Sequence, residues 1–322
     1  MPAPSDTFDP AIQSENIGYS ADALITCGKC SRSNAPNRLE CMYCGATLNV
    51  DPRSLDKVTA RVLESWEPGT SIVITGGDGD AERASHLLSI EREQLAEILT
   101  SAVPLPLARM EAGSAELVAK KIEALGYTTR LVDDSDLELK RPPVRIAAMS
   151  IRPDTLTLID LNTRDNHTVA WNDLRLIVKG TFSSGKIDSF EKRRLRSTTV
   201  MSETVTSADE PLLDLYLGDD KIGFRVQLSG FDYSCLGDNM APLATANMSR
   251  LQDLLSERSP IARVIEYPPV RHLLTGIWDI ESRKDPKGLV QTGVGKREFG
   301  VVHSTSNVEQ FTRFSRLQRL ML

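Results

Sequence analysis

The stretch that decides the N-terminal part of the chain reads Cys27-Gly28-Lys29-Cys30, then ten residues, then Cys41-Met42-Tyr43-Cys44-Gly45. Two Cys-x-x-Cys pairs at this separation suit tetrahedral coordination of one zinc ion by four thiolates. Each pair places two thiolates on one tight turn whose backbone amides point at sulfur, and Gly45 permits a positive φ directly after Cys44. A segment of about thirty residues buries too little apolar area to fold alone. A structural zinc ion contributes on the order of 10 kcal/mol or more to such a fold. Four sulfur ligands leave no open position for water, so the expected site is structural rather than hydrolytic: Cys27, Cys30, Cys41 and Cys44, with one zinc per chain. A thioredoxin-type redox motif needs a single pair between a strand and a helix, and disulfides need an oxidising compartment. The doubled spacing favours metal over both.

Residues 21–50 resemble the small bacterial four-cysteine zinc ribbons, whose pattern is CxxC, three residues, Asn, six residues, CxxCG and a nearby Leu. Asn34, Cys41, Cys44, Gly45 and Leu48 fall at those places. The same spacing is shared by zinc fingers of the Ran-binding-protein type, a family that binds single-stranded RNA or ubiquitin. Where that family carries Trp two positions before the first Cys, this chain has Ile25. A rigid ribbon is expected to present a partner surface through Arg32, Asn34, Arg38 and Tyr43.

The chain has 322 residues, room for two or three domains, and a formal net charge of -6. That charge argues against bulk attraction to nucleic acid, although a local basic patch is compatible with it. No apolar run approaches the ~20 residues of a spanning helix. Met1-Pro2-Ala3-Pro4-Ser5-Asp6 shows no basic start followed by an apolar core, so no secretory signal is read and a cytoplasmic location is expected.

The organisation expected is α+β and multidomain. Residues 1–20 are polar and rich in Pro and Ser and read as a disordered tail; 51–70 read as a linker, with a short helix around Lys57 to Trp66. In 71–140, strand signals at Ser71–Thr75, Leu105–Met110 and Tyr127–Val132 alternate with helical ones. Ala81 to Thr100 reads as one helix or two meeting near Ser89. A second helix is expected from a Ser114 cap, with Val118, Ile122 and Leu125 on one face. This order resembles a small ferredoxin-like α/β domain. After Arg141-Pro142-Pro143 the period falls to two. Leu213, Leu215 and Leu217, a Gly218–Lys221 turn, then Ile222, Phe224 and Val226 form a hairpin pattern. A helix carrying Ala244, Met248, Leu251 and Leu255 on one face closes the β-rich region of 143–260. Strands closed by one helix over roughly 143–258 resemble pleckstrin-homology-like domains. Residues 261–322 read as an irregular basic arm. Its last segment, Asn307 to Leu322, repeats Arg at 313, 316 and 319 between Phe311, Phe314, Leu317 and Leu320. A spacing of three drifts around a helix and gives no tidy face; docking on its own domain or on a partner is expected.

Three further motifs each admit a bland alternative. Gly76-Gly77-Asp78-Gly79 sits where a phosphate loop would, but Glu82 replaces the needed Gly and the carboxylates repel phosphate, so a plain turn is read. Cys235, the fifth cysteine, would be a nucleophile only with a histidine beside it; an isolated Cys among apolar neighbours is expected to be inert. Lys192, Arg193, Arg194 and Arg196 form a basic cluster able to contact phosphate, or else a solvated strand edge. The function expected is a non-enzymatic zinc-binding adaptor that contacts another protein. An RNA-binding regulator using the ribbon and basic segments is the alternative, and an enzyme using Cys235 the third reading.

Overall fold

The computed structural model describes residues 19, 24–50, 63–64, 66–194, 197–293 and 296–322, and the side chains of 189–205 and 290–298 fall outside that description. The expected tail, apart from Tyr19, and most of the expected linker helix lie outside the described residues.

The ribbon carries two short antiparallel strands, β1 (Ile25–Thr26) and β2 (Ser33–Asn34). The next unit runs β3 (Thr70–Gly77), α1 (Ala81–Leu88), α2 (Arg92–Thr100), β4 (Pro106–Met110), α3 (Ala112–Ala124) and β5 (Tyr127–Asp133). Asp80 caps α1 by accepting the Arg83 N–H at 3.0 Å. Ser89 then takes a left-handed conformation, φ 56°, which divides the predicted 81–100 helix into two. The cap of α3 is Glu111, not Ser114: its carboxylate accepts the Ser114 N–H at 3.2 Å, while Ser114 itself is buried. The sheet is antiparallel with order β4-β3-β5. It thus has three strands, whereas a ferredoxin-like β-α-β-β-α-β unit has four.

The remaining strands join one nine-stranded sheet. They are β6 (Val144–Ile151), β7 (Thr155–Asp160), β8 (Asn166–Ala170), β9 (Leu174–Arg194), β10 (Ser197–Leu217) and β11 (Phe224–Gln227), then α4 (Ala244–Arg258), β12 (Arg263–Glu266), β13 (Glu281–Gly293), β14 (Lys296–Ser306) and α5 (Val308–Leu320). The order is β13-β14-β9-β10-β11-β6-β7-β8, with β12 added in parallel on β9. The predicted hairpin is present, with Leu213 opposite Val226 and Leu215 opposite Phe224. Met248, Leu251 and Leu255 of α4 are buried against that face.

The sheet does not stop at α4, and residues 261–322 are not an irregular arm. β12 lies beside Leu176–Lys179 of β9, and β14 pairs with Ser184–Glu191 of the same strand. These pairings reach back across about a hundred residues, so local periodicity around Pro286 and Gly288 carries no trace of them. β9 and β10 are each 21 residues long, about 70 Å if fully extended. Their outer halves form, with β13 and β14, a four-stranded extension of the sheet, here the arm.

The middle of the sheet is buried on both faces. Leu174, Ile177, Leu213, Leu215, Phe224 and Val226 pack with α4, while Leu176, Val178, Leu212 and Tyr216 pack with Phe311, Phe314 and Leu317 of α5. The polar alternates of the hairpin are therefore enclosed. Arg225 donates to both oxygens of Asp214 at 2.7 and 2.8 Å, and to the Thr312 hydroxyl at 3.1 Å. Gly180 lies so close to the Phe311 ring that a Cβ there would overlap it.

α5 is buried on every side, which resolves its untidy pattern. Because a spacing of three drifts around the helix, its arginines point in different directions and meet different neighbours. Arg313 binds Asp134 at 2.7 Å beyond the end of β5. Arg316 donates to the carbonyls of Leu137, Glu138 and Arg141, at 2.8, 2.5 and 2.5 Å. Arg319 donates to the carbonyls of Gly218 and Asp220 at 2.5 and 2.9 Å. The helix thus docks on its own chain, fastening the α/β unit to the large sheet. Replacing Arg316 by Ala strands three carbonyls and opens a cavity, so urea unfolding of the variant is expected to show a loss of about 3 kcal/mol. A loss below about 1 kcal/mol would contradict this role for α5.

Candidate metal centre

The ribbon's two knuckles share one hydrogen-bond plan. In the first, Ser31 N–H donates to the Cys27 carbonyl at 2.8 Å and Cys27 N–H to the Arg32 carbonyl at 2.9 Å. In the second, Gly45 N–H donates to the Cys41 carbonyl at 2.9 Å and Cys41 N–H to the Ala46 carbonyl at 2.8 Å. The residue after each second cysteine is left-handed, Ser31 with φ 58° and Gly45 with φ 67°. Glycine occupies this position without strain; serine there is held by the ring of bonds around it.

These turns bring all four Sγ atoms within 4.8 Å of one another. The Cys27–Cys44 separation is 3.7 Å and the Cys30–Cys41 separation 3.5 Å. Sulfurs about 2.3 Å from a tetrahedral zinc sit about 3.8 Å apart, so the residues fit the ion. Cys27 and Cys41 are buried, Cys30 and Cys44 half-buried.

The surroundings split the thiols. Backbone N–H groups of Cys30 and Lys29 hold Cys27 below the usual thiol range. Burial opposes ionisation of Cys41, but the N–H groups of Tyr43 and Cys44, with the Cys30 thiol and Asn34, outweigh it and lower its pKa. At Cys30 the Arg32 N–H favours the thiolate, yet burial and the other three thiols prevail and push it up. Like-charge crowding of this kind is relieved by a divalent cation at the centre, whose binding displaces the remaining protons.

Asn34 belongs to this framework and not to the partner surface expected of it. It is 2% exposed. Its amide donates to the Arg32 carbonyl at 2.9 Å and to Cys41 Sγ at 3.5 Å, and its oxygen accepts the Met42 N–H at 2.9 Å. It ties one knuckle to the other, as outer partners of metal ligands do. Of the other expected surface residues, Arg38 is half-buried, whereas Arg32 is exposed and stacks over the exposed Tyr43 ring at 4.6 Å. Met42, which no motif in the sequence singles out, is exposed beside Tyr43. Leu39, Leu48 and Val50 turn the other way, into the core that contains Ala115 and Val118 of α3. Thr47 and Glu40 reach Glu111 and Ser114 at 3.5 and 3.4 Å, so the ribbon sits on the start of α3.

The other sequence motifs stay apart from this centre. Gly76 and Gly77 end β3, and the loop that follows leads to the Asp80 cap. Cys235 lies in a 3-10 turn, Tyr233–Asn239, where burial and then the Asp232 carboxylate push its thiol up to about 11. That environment opposes the thiolate a nucleophile needs. The backbone places Lys192, Arg193 and Arg194 at the far end of β9, opposite Thr199, Thr198 and Ser197 of β10, and Arg196 lies outside the described residues. Comparison with protein-family models, with curated proteins and with solved structures returns no match.

The two knuckle glycines separate conformational need from mere tolerance. Gly45→Ala forces a side chain into the left-handed region and is expected to weaken metal retention against a chelator by about 1 kcal/mol or more. Gly28 has open space around its Cα, so Gly28→Ala is expected to leave retention nearly unchanged. Equal effects at both positions would contradict the knuckle geometry.

Proposed function

We propose that this chain is a non-enzymatic zinc-binding interaction protein, whose N-terminal ribbon presents a rigid surface to another protein. The observation that carries the reading is the closed set of four thiols, all within 4.8 Å of one another. A cage with every position taken by sulfur holds an ion for structure and has no vacancy for substrate or water. The exposed side of the ribbon then offers Arg32, Met42 and Tyr43, an aromatic and apolar tip with a cation laid on it. Such residues are enriched where proteins meet. The raised Cys235 thiol supports leaving it out of any chemistry. No described helix is long and apolar enough to cross a membrane.

Elemental analysis of the purified chain is expected to find one zinc per chain, and Cys41→Ser is expected to lose it. Full zinc content in that variant would remove the site and the reading with it. Because the ribbon shares its core with α3, loss of the ion is also expected to raise hydrogen exchange at the start of that helix.

The Arg32–Tyr43 pair supports a second reading, since an exposed aromatic with a neighbouring guanidinium suits stacking on an unpaired base. A gel-shift titration with short single-stranded RNA separates the two. Under the protein-partner reading no shift is expected even at low salt, whereas binding that falls steeply with salt and is lost in Tyr43→Ala would favour RNA.

A further inference from the structure

The arm has two open edges, and they are built differently. Among the described residues no strand pairs with the outer edge of β10 between Ser197 and Pro211; β11 joins only at Leu212. At the other side of the sheet β13 is the terminal strand. An unpaired strand edge is a row of free N–H and C=O groups that recruits another strand unless something blocks it.

β13 carries the blocks. Its sequence, Glu281-Ser282-Arg283-Lys284-Asp285-Pro286-Lys287-Gly288, holds five charged residues and a proline, and the ladder shifts register between Pro286 and Gly288. Charge, proline and a bulge are the devices by which proteins protect edges. β10 carries fewer of these: its ladder with β9 shifts register at Met201, and Asp209, Glu210 and Pro211 stand only at its inner end. Ser197-Thr198-Thr199-Val200-Met201-Ser202-Glu203-Thr204-Val205-Thr206-Ser207-Ala208 contains one charged residue, Glu203, and six of the twelve are Thr or Val. Those residue types favour extended pairing. Pro211 stands where the open edge meets β11.

We infer that the open edge of β10 pairs with the same edge of a second copy of this chain, antiparallel across a two-fold axis, so that two four-stranded arms become one sheet. The occupant follows from the asymmetry of the edges. An isologous β10–β10 contact consumes the permissive edge of both arms and leaves the arms with only their protected β13 edges, and a contact closed by a two-fold axis stops at two copies. The stretch from Ser197 to Pro211 carries three carboxylates, Glu203, Asp209 and Glu210, and no Lys or Arg; an antiparallel pairing centred on Thr204 sets them opposite Val205, Thr199 and Thr198, so no like charges face one another directly. The contact is made by main-chain hydrogen bonds, as in other strand additions, and is independent of the ribbon and its metal.

Sedimentation velocity of the full chain over a dilution series tests this. A monomer–dimer equilibrium is expected, and in the unaltered chain the amides of 197–211 gain hydrogen-exchange protection as dimer forms. The double variant Thr204→Lys and Thr206→Lys sets like charges across the two-fold and is expected to weaken the dimer roughly tenfold or more, with unchanged circular dichroism and zinc content. A chain monomeric at every concentration would overturn the inference, whether or not another protein's strand occupies the edge. So would a dimer whose formation leaves exchange at 197–211 unaltered, a result that needs no variant to fold.

Discussion

Enclosure of α5 is the constraint on which the body of this protein depends. A helix with Gln310, Arg313, Arg316 and Gln318 buried is costly to desolvate unless every polar head finds a partner. The chain supplies most of these partners from distant segments: Asp134 after β5, the carbonyls of the 137–141 turn, the carbonyls of the 218–220 turn, and the Pro104 carbonyl before β4 for the Gln318 amide, while Arg316 Nε and Gln318 Oε1 are left without one. The same residues that would burden an isolated helix therefore decide which segments come together. Buried ion pairs add little net stability but make mispairing expensive. The Asp214–Arg225 pair, seated under Thr312 and Phe311, has that effect on the hairpin register.

The ribbon follows a second logic. It has few apolar residues, and three of them, Leu39, Leu48 and Val50, are committed to the neighbouring core. What remains is organised around sulfur. Asn34 and the backbone amides of both knuckles direct positive dipole ends at thiols that repel one another, and a cation completes the balance. The result is a small element with one side anchored on α3 and the other carrying Arg32, Met42 and Tyr43 outward. The interaction role proposed above would use this division directly, a partner meeting a surface anchored from beneath.

Local features were legible in the sequence where chemistry is local. The Cys spacing announced the thiol cluster, alternation from Leu213 to Val226 announced the hairpin, and the 3.6-residue pattern of α3 and α4 announced those helices. What stayed hidden depended on distance. Alternation displays one buried face of a strand, and nothing in Asp214 or Arg225 says that a helix far along the chain covers the other. The Arg spacing of α5 shows no tidy face because the helix is enclosed on all sides. The β13–β14 hairpin joins the sheet by pairing β14 with β9, a long-range event without periodic signature. At the metal centre the ligands were plain, but Asn34 looked like a surface polar residue, since its framework role appears only when the two knuckles are brought together.

X-ray absorption at the zinc edge of the purified 322-residue chain tests the central claim most directly. The account predicts a first shell of four sulfur atoms at about 2.3 Å with no nitrogen or oxygen. An iron edge in place of zinc, or a shell containing light atoms at about 2.0 Å, would contradict a closed structural zinc site.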